Sequence, residues 1–240
     1  MADKNIIRDW EMSAKTRPDK IEDMALSPSI KSLLLNWEKG RVIKHCIMHG
    51  HSGTGKTTSA RIIAPLIDKQ FEEINCTTDG SKDELKVLTK KMTTTNIFQL
   101  VGQESSTKVF FLDEFHDIPI SAQNVLKKFM EDYSEKAKLI ICVNDMEKVS
   151  SAIADRCVFI PFDVAVINPR NGKLELLPDS GFKSVDDWKK ELARSADIVA
   201  KKLDIKLTKE LKDKVASNPY NLVSMRSYIR GCEMSYFGDL

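Results

Sequence analysis

Long apolar runs are missing from these 240 residues: none approaches the length of a membrane-spanning helix, and the first residues lack the apolar stretch of a secretory leader. A helical membrane protein is thereby excluded, and a cytoplasmic protein without membrane contact is expected. Charge of one sign is scarce too. The 37 basic and 35 acidic side chains leave a net charge of +2, so any nucleic-acid contact must come from a local stripe. Cys46, Cys76, Cys142, Cys157 and Cys232 form no CxxC pair and are odd in number, which argues against a disulfide framework and for reduced, mostly buried thiols. His45, Cys46, His49 and His51 crowd together in sequence but straddle a strand and a loop, where metal ligands would not converge. Internal repeats and low-complexity tails are absent.

What is present is an alternation of apolar runs and helical patterns. Ser27 and Pro28 read as the start of a helix that Gly40 ends. Strands are expected at Val42–Met48, Phe71–Asn75, Val109–Leu112, Leu139–Val143 and Cys157–Phe162, and helices over 58–64, 81–92 and 121–133, with 93–103 helical or irregular. Such alternation predicts an α/β fold with a five-stranded parallel sheet covered by helices. Beyond Pro161, the runs 164–167 and 173–177 flank Asn171-Gly172 and predict a hairpin. Ser184 opens a helix to about Leu203, and helical stretches at 209–216 and 222–236 complete a small helical lid. The expected domains are 1–162 for the core and 163–240 for the hairpin and lid.

The chemistry lies between the first strand and the helix after it. Gly50, His51, Ser52, Gly53, Thr54, Gly55, Lys56 and Thr57 satisfy the phosphate-loop spacing, with Thr58 continuing into the helix. Glycines let the backbone fold around phosphate oxygens, Lys56 offsets β/γ charge, and the Thr57 hydroxyl is offered to a magnesium ion. A nucleoside triphosphate with Mg2+ is therefore the expected ligand. The run 109–112 ends in Asp113 and Glu114, a carboxylate pair best placed at the exposed end of a strand. Asp113 would hold the metal and Glu114 would polarise an attacking water. Asn144, ending another apolar run, either reaches that water or the γ-phosphate or is a turn residue. Arg156 either pairs with Asp155 or reaches a neighbouring subunit's nucleotide.

These residues together resemble the AAA+ ATPases, and within them the small motor subunits of DNA sliding-clamp loaders, phage versions included. Lys15-Thr16-Arg17-Pro18 is similar to the segment that lies near the adenine in that family, and Asp113-Glu114-Phe115-His116 to its acidic box, of which the first two positions carry the chemistry. The 121–131 stretch is similar to the helix after that box. The resemblance implies sensor 1 at Asn144, an arginine finger acting in trans at Arg156, and a sensor 2 arginine at Arg226. It also implies a homo- or hetero-oligomer with ATP at its interfaces, a sliding clamp as partner, and duplex DNA held by its phosphates. Candidate DNA contacts are Ser81, Lys82, Lys127 and Lys128. Asp155 stands where the family has serine before the finger. The family's subunits continue into a helical collar, and the shorter chain opens a second reading, a DNA-binding AAA+ regulator or helicase-loader-like protein that forms ATP-dependent oligomers or filaments.

Overall fold

A computed structural model describes residues 17–69, 71–77 and 107–237. The expected helix over 81–92, the 93–103 segment, and Lys15, Thr16, Ser81 and Lys82 lie outside the described residues. The chain divides into two compact units. A sheet unit comprises Ser32–His51 and Ser59–Phe162; a helical unit comprises Ser52–Thr58 and Asp163–Leu240 with the chain up to Lys31.

In the sheet unit, strands β1 (Cys46–His49), β2 (Glu72–Asn75), β3 (Lys108–Asp113), β4 (Ala137–Val143) and β5 (Val158–Pro161) form one sheet in the order β2-β3-β4-β1-β5. Every pairing is parallel. Period-two alternation sends Phe110, Leu112, Leu139, Ile141 and Ile47 into one apolar cluster with Leu126, Phe129 and Met130 of helix α3 (Ile120–Asp132). Phe110 meets Phe129 edge to face, with ring centroids 5.8 Å apart. The alternate residues Val109, Phe111, Ile140 and Met48 are equally buried, so both faces of the sheet are covered, as strands this uniformly apolar require.

The first strand is shorter than expected. Val42 is 63% exposed, because ladder pairing starts only at Cys46, opposite Ile140 and Val158. His45, just before it, accepts the Leu139 N–H on Nδ1 at 3.0 Å, a structural role that ties the strand entry to β4. Helix α1 (Pro28–Gly40) has the expected bounds, with Ser27 Oγ accepting the Ile30 N–H at 3.3 Å. Helix α2 (Lys56–Ile67) follows the loop after β1. The short helix α4 (Ser151–Ala154) precedes β5.

The helical unit holds the expected hairpin, β6 (Ala165–Ile167) against β7 (Leu174–Leu176), antiparallel, with Gly172 at φ +66° in the turn. Helices α5 (Val185–Lys201), α6 (Lys209–Ala216) and α7 (Met225–Phe237) follow. Ser184 and Thr208 cap α5 and α6 by accepting the Asp187 and Leu211 N–H groups. The expected last helix starts three residues late. Residues Pro219–Leu222 form a 3-10 turn, and the Leu222 carbonyl accepts the buried Trp188 indole N–H at 2.8 Å. No helix among the described residues is long and apolar enough to cross a membrane.

Candidate nucleotide site

Strand β1 delivers the chain to the C-terminal edge of the sheet, where the Gly50 N–H donates to the Val143 carbonyl at 3.3 Å. The loop from there to Lys56 turns on glycines in the left-handed half of backbone space, Gly53 at φ +84° and Gly55 at φ +106°. A Cβ on Gly53 would stand 2.5 Å from the Arg226 Cβ, so a side chain has neither the angle nor the room. Arg226, in the first turn of α7, donates from Nη1 to Ser52 Oγ at 2.7 Å and from its backbone N–H to the Gly53 carbonyl at 3.3 Å. Within the helical unit the loop and α7 are thus interlocked. Thr54 and Lys56 are nearly buried, and Thr57 and Thr58 continue the first turn of α2.

Asp113 is the last residue of β3, and its Oδ1 accepts the Glu114 N–H at 3.0 Å. Glu114 has φ +54° and ψ +37°, a left-handed conformation that costs a residue with a Cβ roughly 1–2 kcal/mol. That bend ends the strand and starts the 3-10 turn Phe115–Asp117. Asn144 follows β4 directly and donates from Nδ2 to Glu114 Oε2 at 3.2 Å. Because β4 lies between β1 and β3, Gly50, Asn144 and Asp113 share one sheet edge, with strands β1 and β3 roughly 10 Å apart across two strand spacings. Cys76 donates its backbone N–H to the Asp113 carbonyl at 2.9 Å. Burial, with the nearby carboxylates of Asp113, Asp117 and Glu114, pushes its thiol up to about 12, so it is no nucleophile at neutral pH.

The remaining candidate residues make the following contacts. Arg156 donates from Nη1 to the Ala152 carbonyl at 2.6 Å and pairs through Nη2 with Glu131 on α3. Asp155, one of the two alternatives for Arg156, caps the C-terminus of α4, and the acid that pairs with the guanidinium is Glu131. Arg17 accepts a bond from Lys202 Nζ on its carbonyl. Lys127 and Lys128 ride on α3, one half-buried and the other exposed, away from the core residues Leu126 and Phe129. Among the described residues no group of three or more His, Cys, Asp or Glu side chains could hold a metal ion.

Sequence reasoning passed over His116, whose Nε2 lies 3.3 Å from Glu114 Oε2, and Glu131, the partner of Arg156. A histidine three residues after the strand-ending aspartate was the available signal for the first. The second is invisible in sequence, since the two residues are 25 positions apart.

Residues 46–163 match the ATPase family associated with various cellular activities (AAA). The solved structure of the Thermotoga maritima RuvB Holliday junction branch migration motor superposes with a TM-score of 0.61 at 19% identity, over 90% of this chain and 63% of that one. Domain III of the Thermotoga maritima replication initiation protein DnaA gives 0.55 at 15% identity, over 89% and 85%. The fold is that of the AAA+ P-loop NTPases.

Curated proteins of similar sequence include replication factor C subunits. Replication factor C subunit 3 of Schizosaccharomyces pombe is 30% identical over 153 residues, 62% of this chain and 44% of the relative. Replication factor C small subunit of Methanococcus vannielii is 28% identical over 62% and 47%. The AAA match covers residues 46–163, and the chain is similar to these replication factor C subunits while spanning about half the length of the curated relatives it matches.

Proposed function

We propose that the chain binds ATP with Mg2+ on the 50–58 loop and hydrolyses it as one subunit of a clamp-loader-like oligomer on DNA. The observation that carries this reading is the glycine loop leaving the sheet edge that also bears Asp113, Glu114 and Asn144. Backbone N–H groups of the loop and the N-terminus of α2 suit polyphosphate, and the Lys56 ammonium adds the charge that holds its β/γ oxygens. A Thr57 hydroxyl and an Asp113 carboxylate are hard oxygen donors of the kind magnesium accepts, few enough that phosphate and water complete its shell. Bound magnesium would offset charge on the phosphate oxygens. Glu114 takes the role of orienting water, Asn144 holds that carboxylate, and Arg226, fixed to Ser52, lies ready to meet phosphate charge. Arg17 is assigned to the base end of the nucleotide. Arg156 is assigned to a neighbouring subunit's nucleotide. Ser81, Lys82, Lys127 and Lys128 are assigned to DNA phosphates, and a ring-shaped sliding clamp is the further partner.

The test is a pair of substitutions. Lys56→Ala removes a charged donor and is expected to weaken ATP affinity about 10–100-fold in calorimetry. Glu114→Gln is expected to leave that affinity intact and to lower phosphate release by about 100-fold or more. Turnover of the unaltered chain should rise when primed DNA and a sliding clamp are both supplied. Unchanged ATP uptake in Lys56→Ala overturns the nucleotide site, whereas turnover indifferent to DNA and clamp overturns only the loader assignment. ATP-dependent helical polymers on duplex DNA without any clamp would point to the filament-forming regulator.

A further inference from the structure

We propose that His116 is a positioning residue for hydrolysis, fixing the Glu114 carboxylate on one oxygen so that the other faces the attacking water. This rests on the reading of Glu114 as the group that orients water.

Glu114 needs help to hold one geometry. Its side chain is 42% exposed, long and rotamer-rich, and it stands on a left-handed backbone at the start of a 3-10 turn. Two groups contact the same atom: Asn144 Nδ2 donates to Oε2 at 3.2 Å, and His116 Nε2 lies 3.3 Å from Oε2. Among the described residues no donor contacts Oε1, which leaves that oxygen to accept from water.

The ring itself is held. His116 is only 13% exposed, and its Nδ1 accepts the Asn144 backbone N–H at 3.5 Å. Its Nε2 faces both Glu114 Oε2 and, at 3.5 Å, Asn144 Nδ2; in the tautomer that keeps Nδ1 as acceptor, Nε2 bears the N–H that can donate to Glu114. Its other acidic neighbour is Asp117, with Oδ1 4.0 Å from Nε2. The turn from Phe115 to Asp117 packs against β4 and against the 3-10 turn Met146–Lys148, so the imidazole is carried by backbone on both sides. Asn144 thus meets both residues, its side-chain amide near Glu114 Oε2 and His116 Nε2 and its main-chain N–H donating to His116 Nδ1. One strand end thereby registers the carboxylate of the next strand. A misplaced water-orienting group forfeits the benefit of alignment while leaving nucleotide contacts alone.

The experiment compares His116→Ala, His116→Gln and Glu114→Gln in the full chain. Phosphate release is read at saturating ATP and magnesium with primed DNA, affinity is read with a slowly hydrolysed ATP analogue, and Tm is recorded for each. Glutamine can present an amide N–H near the place of Nε2, whereas alanine offers none. His116→Ala is expected to lower kcat about ten-fold or more with analogue affinity unchanged, and His116→Gln to recover most of it. Wild-type kcat in His116→Ala overturns the proposal. So does a fall in kcat, affinity and Tm together with no recovery in His116→Gln, which would mark a packing role. Glu114→Gln separates the two levels: wild-type phosphate release there overturns the reading of Glu114 itself, while abolished release beside a normal His116→Ala removes only the histidine.

Discussion

His45 shows how a residue in the motif region serves the fold. Burial, aided by the positive charge of Lys138, lowers its pKa from 6.5 to about 4, and protonation would also remove the acceptor that Leu139 uses. The native state therefore keeps the ring neutral while the unfolded chain takes up a proton below pH 6.5. The contribution is fully present above pH 6.5 and is lost as pH falls toward about 4, a loss of roughly 2–3 kcal/mol. Thermal melts between pH 7 and pH 4 should show that decline, and His45→Asn, which keeps an acceptor, should flatten it. An unchanged pH profile in His45→Asn would assign the acid sensitivity to carboxylates instead. Glycine at 53 was legible from the motif, but the reason for it is double: a positive φ, and the Arg226 Cβ occupying the space.

Among the elements, strands with long apolar runs were readable and their ends were not. β3 and β4 appear where expected because apolar strands buried on both faces leave little ambiguity. β1 begins late because its first residues find no ladder partner, and α7 begins late because a carbonyl is claimed by Trp188; neither partner is local in sequence. Gln123 shows the same limit. It is fully buried on α3, donating to the carbonyls of Ile118 at 3.0 Å and Lys148 at 2.8 Å while accepting the Ser150 N–H at 2.7 Å. One amide thereby fastens the start of α3 to the approach to α4. Gln123→Leu orphans three backbone groups and should cost roughly 2–4 kcal/mol in urea unfolding. Nucleotide affinity should remain near normal. A loss under about 1 kcal/mol would mean that water replaces the amide freely.

At the scale of the whole molecule, the arginine assigned to a neighbour's nucleotide is engaged at home. The Arg156–Glu131 pair is partly exposed on both sides, with side chains 30% and 48% accessible, and such pairs contribute about 0–1 kcal/mol. A polyphosphate on an adjoining copy could therefore outcompete Glu131. Arg156→Ala should leave ATP affinity unchanged and lower oligomer turnover by about 1000-fold. Mixing Arg156→Ala with Glu114→Gln should restore part of the turnover, because one partner supplies the arginine and the other the carboxylate. A mixture no more active than its components would remove the trans assignment.

The phosphate-loop spacing, the acidic strand end and the alternation of strands with helices belong to the sequence alone, because each is a local pattern whose chemistry depends on residues a few positions apart. Tertiary structure alone decided which donors meet Glu114, which acid receives Arg156 and where β1 and α7 begin. Those outcomes depend on partners tens of residues distant, brought together by a sheet whose order differs from the order of the chain.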